Sequence, residues 1–137
     1  MELVLGAQKF DRVLTDVDKL LVSYRNDDGY VYFDYRSAST GGNIVPEDLA
    51  VTLLVNSRAT GKAFKSILKH SSSARLDRLP SIPLEATSAA ERTRVASLIA
   101  QVASWPGFAA SLATKVIHNR CPALIPILDN QAIFGLI

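Results

Sequence analysis

Two stretches in the last third of the chain combine residue types that could do chemistry. At 105–109, Trp-Pro-Gly-Phe-Ala sets a Pro-Gly corner between two apolar-periodic segments. At 124–129, Leu-Ile-Pro-Ile-Leu-Asp delivers one carboxylate, Asp129, to the start of the next segment. A glycine-containing hairpin exposes backbone N–H groups at a helix N-terminus, and those donors suit a phosphate. Gly107 has no Cβ, so a phosphate can come close to its backbone. Asp129 can activate water or steady a developing positive charge. Placed before Asn-Gln-Ala-Ile it can also cap a helix, worth about 1 kcal/mol. The two roles are compatible, because capping keeps a carboxylate ionised.

Other residues join these candidates. Ser111 sits one turn past the corner, as a possible reacting group or an ordinary first-turn polar residue. Lys115 and His118 lie three apart, on one side of one helix, where they can meet phosphate or stay solvated; His118 can instead bond a local carbonyl. Lys62, Lys65 and Lys69 share a helical face within a basic stretch of Arg58, Arg75 and Arg78 opposed only by Asp77. Such a row can follow a nucleic-acid backbone or form a solvated face. With Pro106, Gly107, Ala109, Lys115 and His118, these three lysines make up the candidate DNA-contacting set. Trp105 can wedge against a base, but packing beside the corner is its commoner use. Tyr30, Tyr32, Phe33 and Tyr35 can stack bases or alternate between a packed and a wet side.

These residues must be positioned by a mostly helical frame. Phe10, Val13, Leu14, Val17, Leu20, Leu21 and Tyr24 recur at steps of three and four, which predicts an amphipathic helix. Tyr30–Tyr35 is aromatic and β-branched and predicts a short extended element, and 36–43 a loop. Pro46-Glu47-Asp48 is a helix-start signature, with Leu49, Ala50, Leu53 and Leu54 as its buried side. A helix over 60–70 is expected to turn Phe64, Ile67 and Leu68 inward. A connector broken by Pro80 and Pro83 follows. Ser88-Ala-Ala-Glu91 is a capping box, continued by Val95, Leu98, Ile99 and Val102. After the corner come a helix over about 109–119, a Pro-rich connector, and a last helix from Asp129.

The segment Trp105–Ile133 resembles the helix-hairpin-helix superfamily of base-excision DNA glycosylases. Their Leu-Pro-Gly-Val-Gly hairpin is matched by Trp105–Ala109, and the aspartate of their pattern falls on Asp129, 23 positions after Pro106. The resemblance implies that Asp129 assists base excision while the hairpin holds backbone phosphate. The nucleophilic lysine of bifunctional members falls on Ser111, as in the monofunctional branch. Ala109 stands at the second hairpin glycine, where a positive φ would cost about 1 kcal/mol or more. Asn43–Val55 and Ala113–Gly135, more of the chain, resemble more closely an uncharacterised bacterial domain family common in actinobacteria. Its acid-Leu-Ala-Val helix falls on Asp48–Val51, and its Lys-x-x-His … Arg-Pro-x-Leu-Ile-Pro-x-x-Asp core on Lys115–Asp129. Here Cys121 precedes the proline and Arg120 is shifted back by one.

At 137 residues one domain is the default. An apolar share of 48% with 20% charged residues suits a globular core. The net charge of +2 is too weak by itself to argue for nucleic acid. One cysteine excludes an internal disulfide and a multi-cysteine zinc site, and fits a reducing, cytoplasmic setting. No apolar run approaches the roughly 20 residues that cross a bilayer. The chain ends on Ala-Ile-Phe-Gly-Leu-Ile, eight residues after Asp129, so the domain is expected either to be cut short there or to dock that end on its core or a partner. The expected fold is a mainly α bundle of the helix-hairpin-helix glycosylase type, a single domain over 1–137 with one short β element near 30–35. The expected functions are DNA binding with altered base excision or, alternatively, a non-catalytic module that meets a protein partner or a second copy. No cofactor and no metal are implied.

Overall fold

The computed structural model describes residues 3–5, 8–10, 22, 37, 39–54 and 57–128, with the backbone alone for 3–5 and 8–10. Among them the chain is mainly helical. Two short strands, β1 (Leu3–Leu5) and β2 (Gln8–Phe10), pair antiparallel with Leu3 opposite Phe10 and Leu5 opposite Gln8. Phe10 is therefore on a strand and not on the first helix that its spacing suggests. The expected β element at 30–35, most of that first helix, and the last helix from Asp129 lie outside the described residues.

The described helices are α1 (Val51–Leu54), α2 (Gly61–His70), α3 (Ala89–Ala103) and α4 (Ala110–Arg120). A 3-10 helix, Pro46–Ala50, leads into α1, with Pro46 supplying the fixed φ of a first turn. Asp48 closes that turn from its side chain, accepting the Val45 N–H at 2.8 Å. At the start of α2 the Thr60 hydroxyl accepts the Ala63 N–H at 3.3 Å. The capping box at α3 forms as expected: the Ser88 hydroxyl accepts from Glu91 N–H, and the Glu91 carboxylate accepts from Ser88 N–H at 2.8 Å. Three short 3-10 turns carry the connector between α2 and α3.

α4 is the centre of the packing. α3 and α1 pack against it, and the Pro46–Ala50 helix touches both α4 and α2. Leu112, Ala113, Val116 and Ile117 of α4 join Ile44, Val51, Ile67, Val95, Val102 and Ile125 in one core. Fully burying an Ile or Val side chain contributes about 1.5–3 kcal/mol, so this cluster holds the described elements together. The connectors are pinned at three places. Leu76 N–H donates to Gly42 O at 2.7 Å, Leu84 N–H to Ala123 O at 3.0 Å, and the Gln101 amide to Ser73 O at 3.1 Å.

Two expected core faces are corrected. Ile67 is buried, but Phe64 and Leu68 are 47% and 64% exposed. Leu53 is 83% exposed, while Val51 and Thr52 take the buried side of α1. The inward arc of α2 is instead Ala63, Ser66 and Ile67. Ser66 is drawn inward because its hydroxyl donates to Pro106 O at 2.7 Å.

Candidate functional site

α3 ends in a tight corner. Phe108 N–H donates to Trp105 O at 2.9 Å across Pro106 and Gly107. Gly107 has φ +85°. Proline second and a left-handed glycine third is the arrangement of a type II turn. The fixed φ of Pro106 and the missing Cβ of Gly107 are what that turn requires. Trp105 is buried, stacked on His70 with ring centroids 5.9 Å apart, and meets Phe108 edge-on at 5.5 Å. It packs the corner, which is the commoner of its two expected uses.

The space that glycine opens is occupied by the protein itself. A Cβ on Gly107 would lie 2.5 Å from the backbone N of Ala63 and 2.9 Å from Lys62 Cβ. The first turn of α2 is thus seated against the corner. Ala109 has φ −147° and ψ 174°, extended backbone that any residue adopts. The strain expected of an alanine there is absent.

This seating gathers several of the sequence candidates. Lys62, Lys65, Ser66, Lys69, His70 and Pro106 line one groove of about 360 Å³. The three lysines are exposed, and among the described residues no acid lines the groove. Their spacing puts them on one side of α2, and the turn supplies the opposite wall. Gly107 and Ala109 are exposed beside it but do not line it.

Lys115 and His118 lie elsewhere. Lys115 is buried, only 9% exposed, which corrects the expectation of a solvated residue. It belongs to a polar stripe along α4 formed by Ser111, Thr114, Lys115, His118 and Asn119. The Thr114 hydroxyl donates to Ala110 O at 2.8 Å and accepts the Leu128 N–H at 3.0 Å. His118 Nδ1 lies 2.6 Å from Ile125 O, the local carbonyl contact expected for it. Asn119 Oδ1 accepts the Ser37 N–H at 3.0 Å. Ser111 is half-buried in the first turn. The stripe holds the 125–128 segment that leads to Asp129, which itself lies outside the described residues.

One pair was not anticipated. Asp48 is buried, and Arg120 Nη1 lies 3.2 Å from both its carboxylate oxygens. Arg120 also donates to Gly41 O. The acid of the Asp-Leu-Ala-Val block and the arginine of the Arg-Cys-Pro block therefore meet across the fold. The available signal was only that the two blocks carry opposite charges, Asp48 in one and Arg120 in the other.

Elsewhere, burial or a hydrogen bond alters the titration of several groups. The Cys121 thiol is pushed up by burial, with Arg120 opposing, so it stays a thiol and a poor nucleophile. Asp77 is held low by its hydrogen bond with Arg75, whose Nε donates at 3.0 Å. Glu91 is held low by the Ser88 N–H and hydroxyl. Among the described residues no helix is long and apolar enough to cross a membrane.

The DUF6308 family model, described as a family of unknown function, matches residues 17–133. The chain belongs to that family. Comparison with curated proteins and with solved structures gave no match. The resemblance to an uncharacterised domain family agrees with this result, whereas the glycosylase resemblance has no counterpart in it.

Proposed function

We propose that this domain binds the phosphate backbone of DNA through the lysine row of α2, with the Trp105–Phe108 turn as the wall of the binding groove. The observation that carries this reading is the acid-free groove lined by Lys62, Lys65, Lys69, His70 and Pro106. Lys62 and Lys69 are seven residues apart, about 10 Å along a helix. That span lets a row of point charges meet successive phosphates without reading base edges. The lysines, and not the amides of the turn, are assigned the phosphate, because the side of Gly107 that its missing Cβ leaves open is filled by α2. Any base excision would fall to Asp129, with Ser111 in the place of the bifunctional lysine.

A titration of labelled duplex DNA at several salt concentrations tests the binding. Three phosphate contacts give a slope of log K against log salt of about −2.7, a loss of about 40-fold from roughly 50 to roughly 200 mM salt. Replacing Lys62, Lys65 and Lys69 by Ala should remove most of that slope. Salt-independent binding, or a triple variant that binds like the parent, overturns the reading. For chemistry, mismatched or damaged duplex is incubated with the parent and with Asp129→Asn. Equal product from both removes Asp129 from any catalytic role.

A further inference from the structure

A second surface of α2 lies beside the lysine groove and shares only Lys65 with the residues assigned to it. At 100° per residue the outward arc of α2 runs Phe64, Leu68, Lys65, Lys69, Lys62. Its apolar edge faces a separate groove of about 720 Å³ between α1 and the start of α2, lined by Leu49, Ala50, Leu53, Arg58, Thr60 and Phe64 among others. Leu53 and Phe64 are largely open to solvent, and Leu68 continues the patch along α2. A contiguous apolar surface bordered by charge is the form of an interaction site.

The charge around this groove selects the occupant. Arg58 is the one charged residue among the described residues that line the groove. From Leu49 to Leu76 the sequence has no acid and carries Arg58, Lys62, Lys65, Lys69 and Arg75, and the exposed Glu47 stands beside the lining residue Pro46. Arg58 lines the groove itself, and Lys65 borders Leu68. A second copy of the chain would bring the same cations against one another, and like charges facing across an interface are costly. A partner must therefore offer apolar side chains with acids beside them. We propose that this groove docks an acidic amphipathic helix of a partner protein, whose apolar residues fill the space around Leu53 and Phe64 and whose carboxylates meet Arg58 and Lys65. A helix laid in a groove in this way uses anchors at i, i+3 or i+4, and i+7. α2 has ten residues, about 15 Å, so two to three turns of partner helix match its length.

The test is a phage-displayed library of random 16-residue peptides panned on the purified full chain. Selected peptides are expected to carry Leu, Ile or Phe at helical spacing and an excess of Asp and Glu. Synthesised and labelled, such a peptide should bind at least 10-fold more weakly to Leu53→Ser and to Phe64→Ser, and more weakly still to Arg58→Glu. Both serine variants change exposed positions, so circular dichroism should match the parent. Their DNA titration should be unchanged, which separates this surface from the lysine groove. Selected peptides without acidic enrichment, or binding that survives both serine variants, overturn the proposal. So does a dimer in sedimentation that needs Leu53 and Phe64, which would assign the groove to a second copy. Partition onto anionic phosphatidylserine vesicles that needs Phe64 and resists competition by the peptide also overturns it, in favour of a lipid surface.

Discussion

α2 and α4 carry the same residue type to opposite ends. Lys62, Lys65 and Lys69 stand in water on α2, and Lys115 is buried on α4. α2 has one face against the molecule, while α4 is enclosed by α1, α3 and the 125–128 segment. Enclosure changes what a polar side chain must do. On α2 a cation costs little and remains available to a ligand. On α4 every polar group must be satisfied within the fold, because a buried polar group without a partner is costly. Thr114, His118 and Asn119 meet that demand with the backbone of Leu128, Ile125 and Ser37. Arg120, at the end of the same helix, meets it with Asp48 and Gly41. The lesson is that α4 spends its polar residues on architecture, and α2 keeps its own for something outside.

The sharpest way to break this contrast is to delete one cation from each helix. Arg120→Met leaves Asp48 buried with its charge uncompensated and should lower stability by about 3–5 kcal/mol. Lys65→Ala on α2 should stay within about 0.5 kcal/mol. The double variant Asp48→Asn, Arg120→Met should recover part of the loss, since no unpaired charge remains. Urea denaturation of all three measures the difference. Similar losses for Arg120→Met and Lys65→Ala would mean that the two helices are not distinguished by enclosure.

The next effect concerns the place where the two helices communicate. Gly107→Ala adds a Cβ at φ +85°, 2.5 Å from Ala63 N. The left-handed backbone and the forced displacement of α2 together should cost about 2–4 kcal/mol. Lys62 and Pro106 should move apart, so the salt slope of DNA binding should also flatten. A stable Gly107→Ala variant with parental DNA binding would show that the turn does not seat α2.

Much of this contrast could be anticipated from local pattern, and the decisive part could not. The extents of α2 and α4 follow from periodicity, and the start of α3 from Ser88 and Glu91. The conformation of Trp105–Phe108 follows from Pro-Gly chemistry. The outward face of α2 was misassigned because Phe64, Ile67 and Leu68 span a wide arc, so periodicity alone does not choose its buried centre. That choice is made by the turn, through Ser66 and Ala63, from 40 positions away. The burial of Lys115 has no local signature at all. Asp48 and Arg120 are separated by 72 positions, and only a fold that brings the two blocks together makes them a pair. The corner beside the lysines was legible as a candidate phosphate site, but not that α2 itself would fill the side of its glycine that the missing Cβ leaves open.

The smallest effect tests the start of α4, where the helices differ again. α2 is capped by Thr60 and α3 by Ser88, while Ala109 gives α4 no side-chain cap. Position 109 already has the extended backbone that a capping residue uses, and it is exposed. Ala109→Asp should therefore add about 1 kcal/mol of stability without rearrangement. The new carboxylate would be held low by the amides it accepts from, as Glu91 is by Ser88. A lowered folded pKa means that the gain is present above the unfolded value of about 3.9. It is lost as pH falls through the lower folded value. Melting temperatures at neutral pH and across the acid range check both magnitude and sign. The same variant sharpens the assignment of the phosphate. If the lysines of α2 hold the DNA, one acid at 109 weakens binding modestly by repulsion. If instead it abolishes binding as fully as the loss of all three lysines, the α4 amides hold the phosphate, and the division of labour between the two helices is reversed.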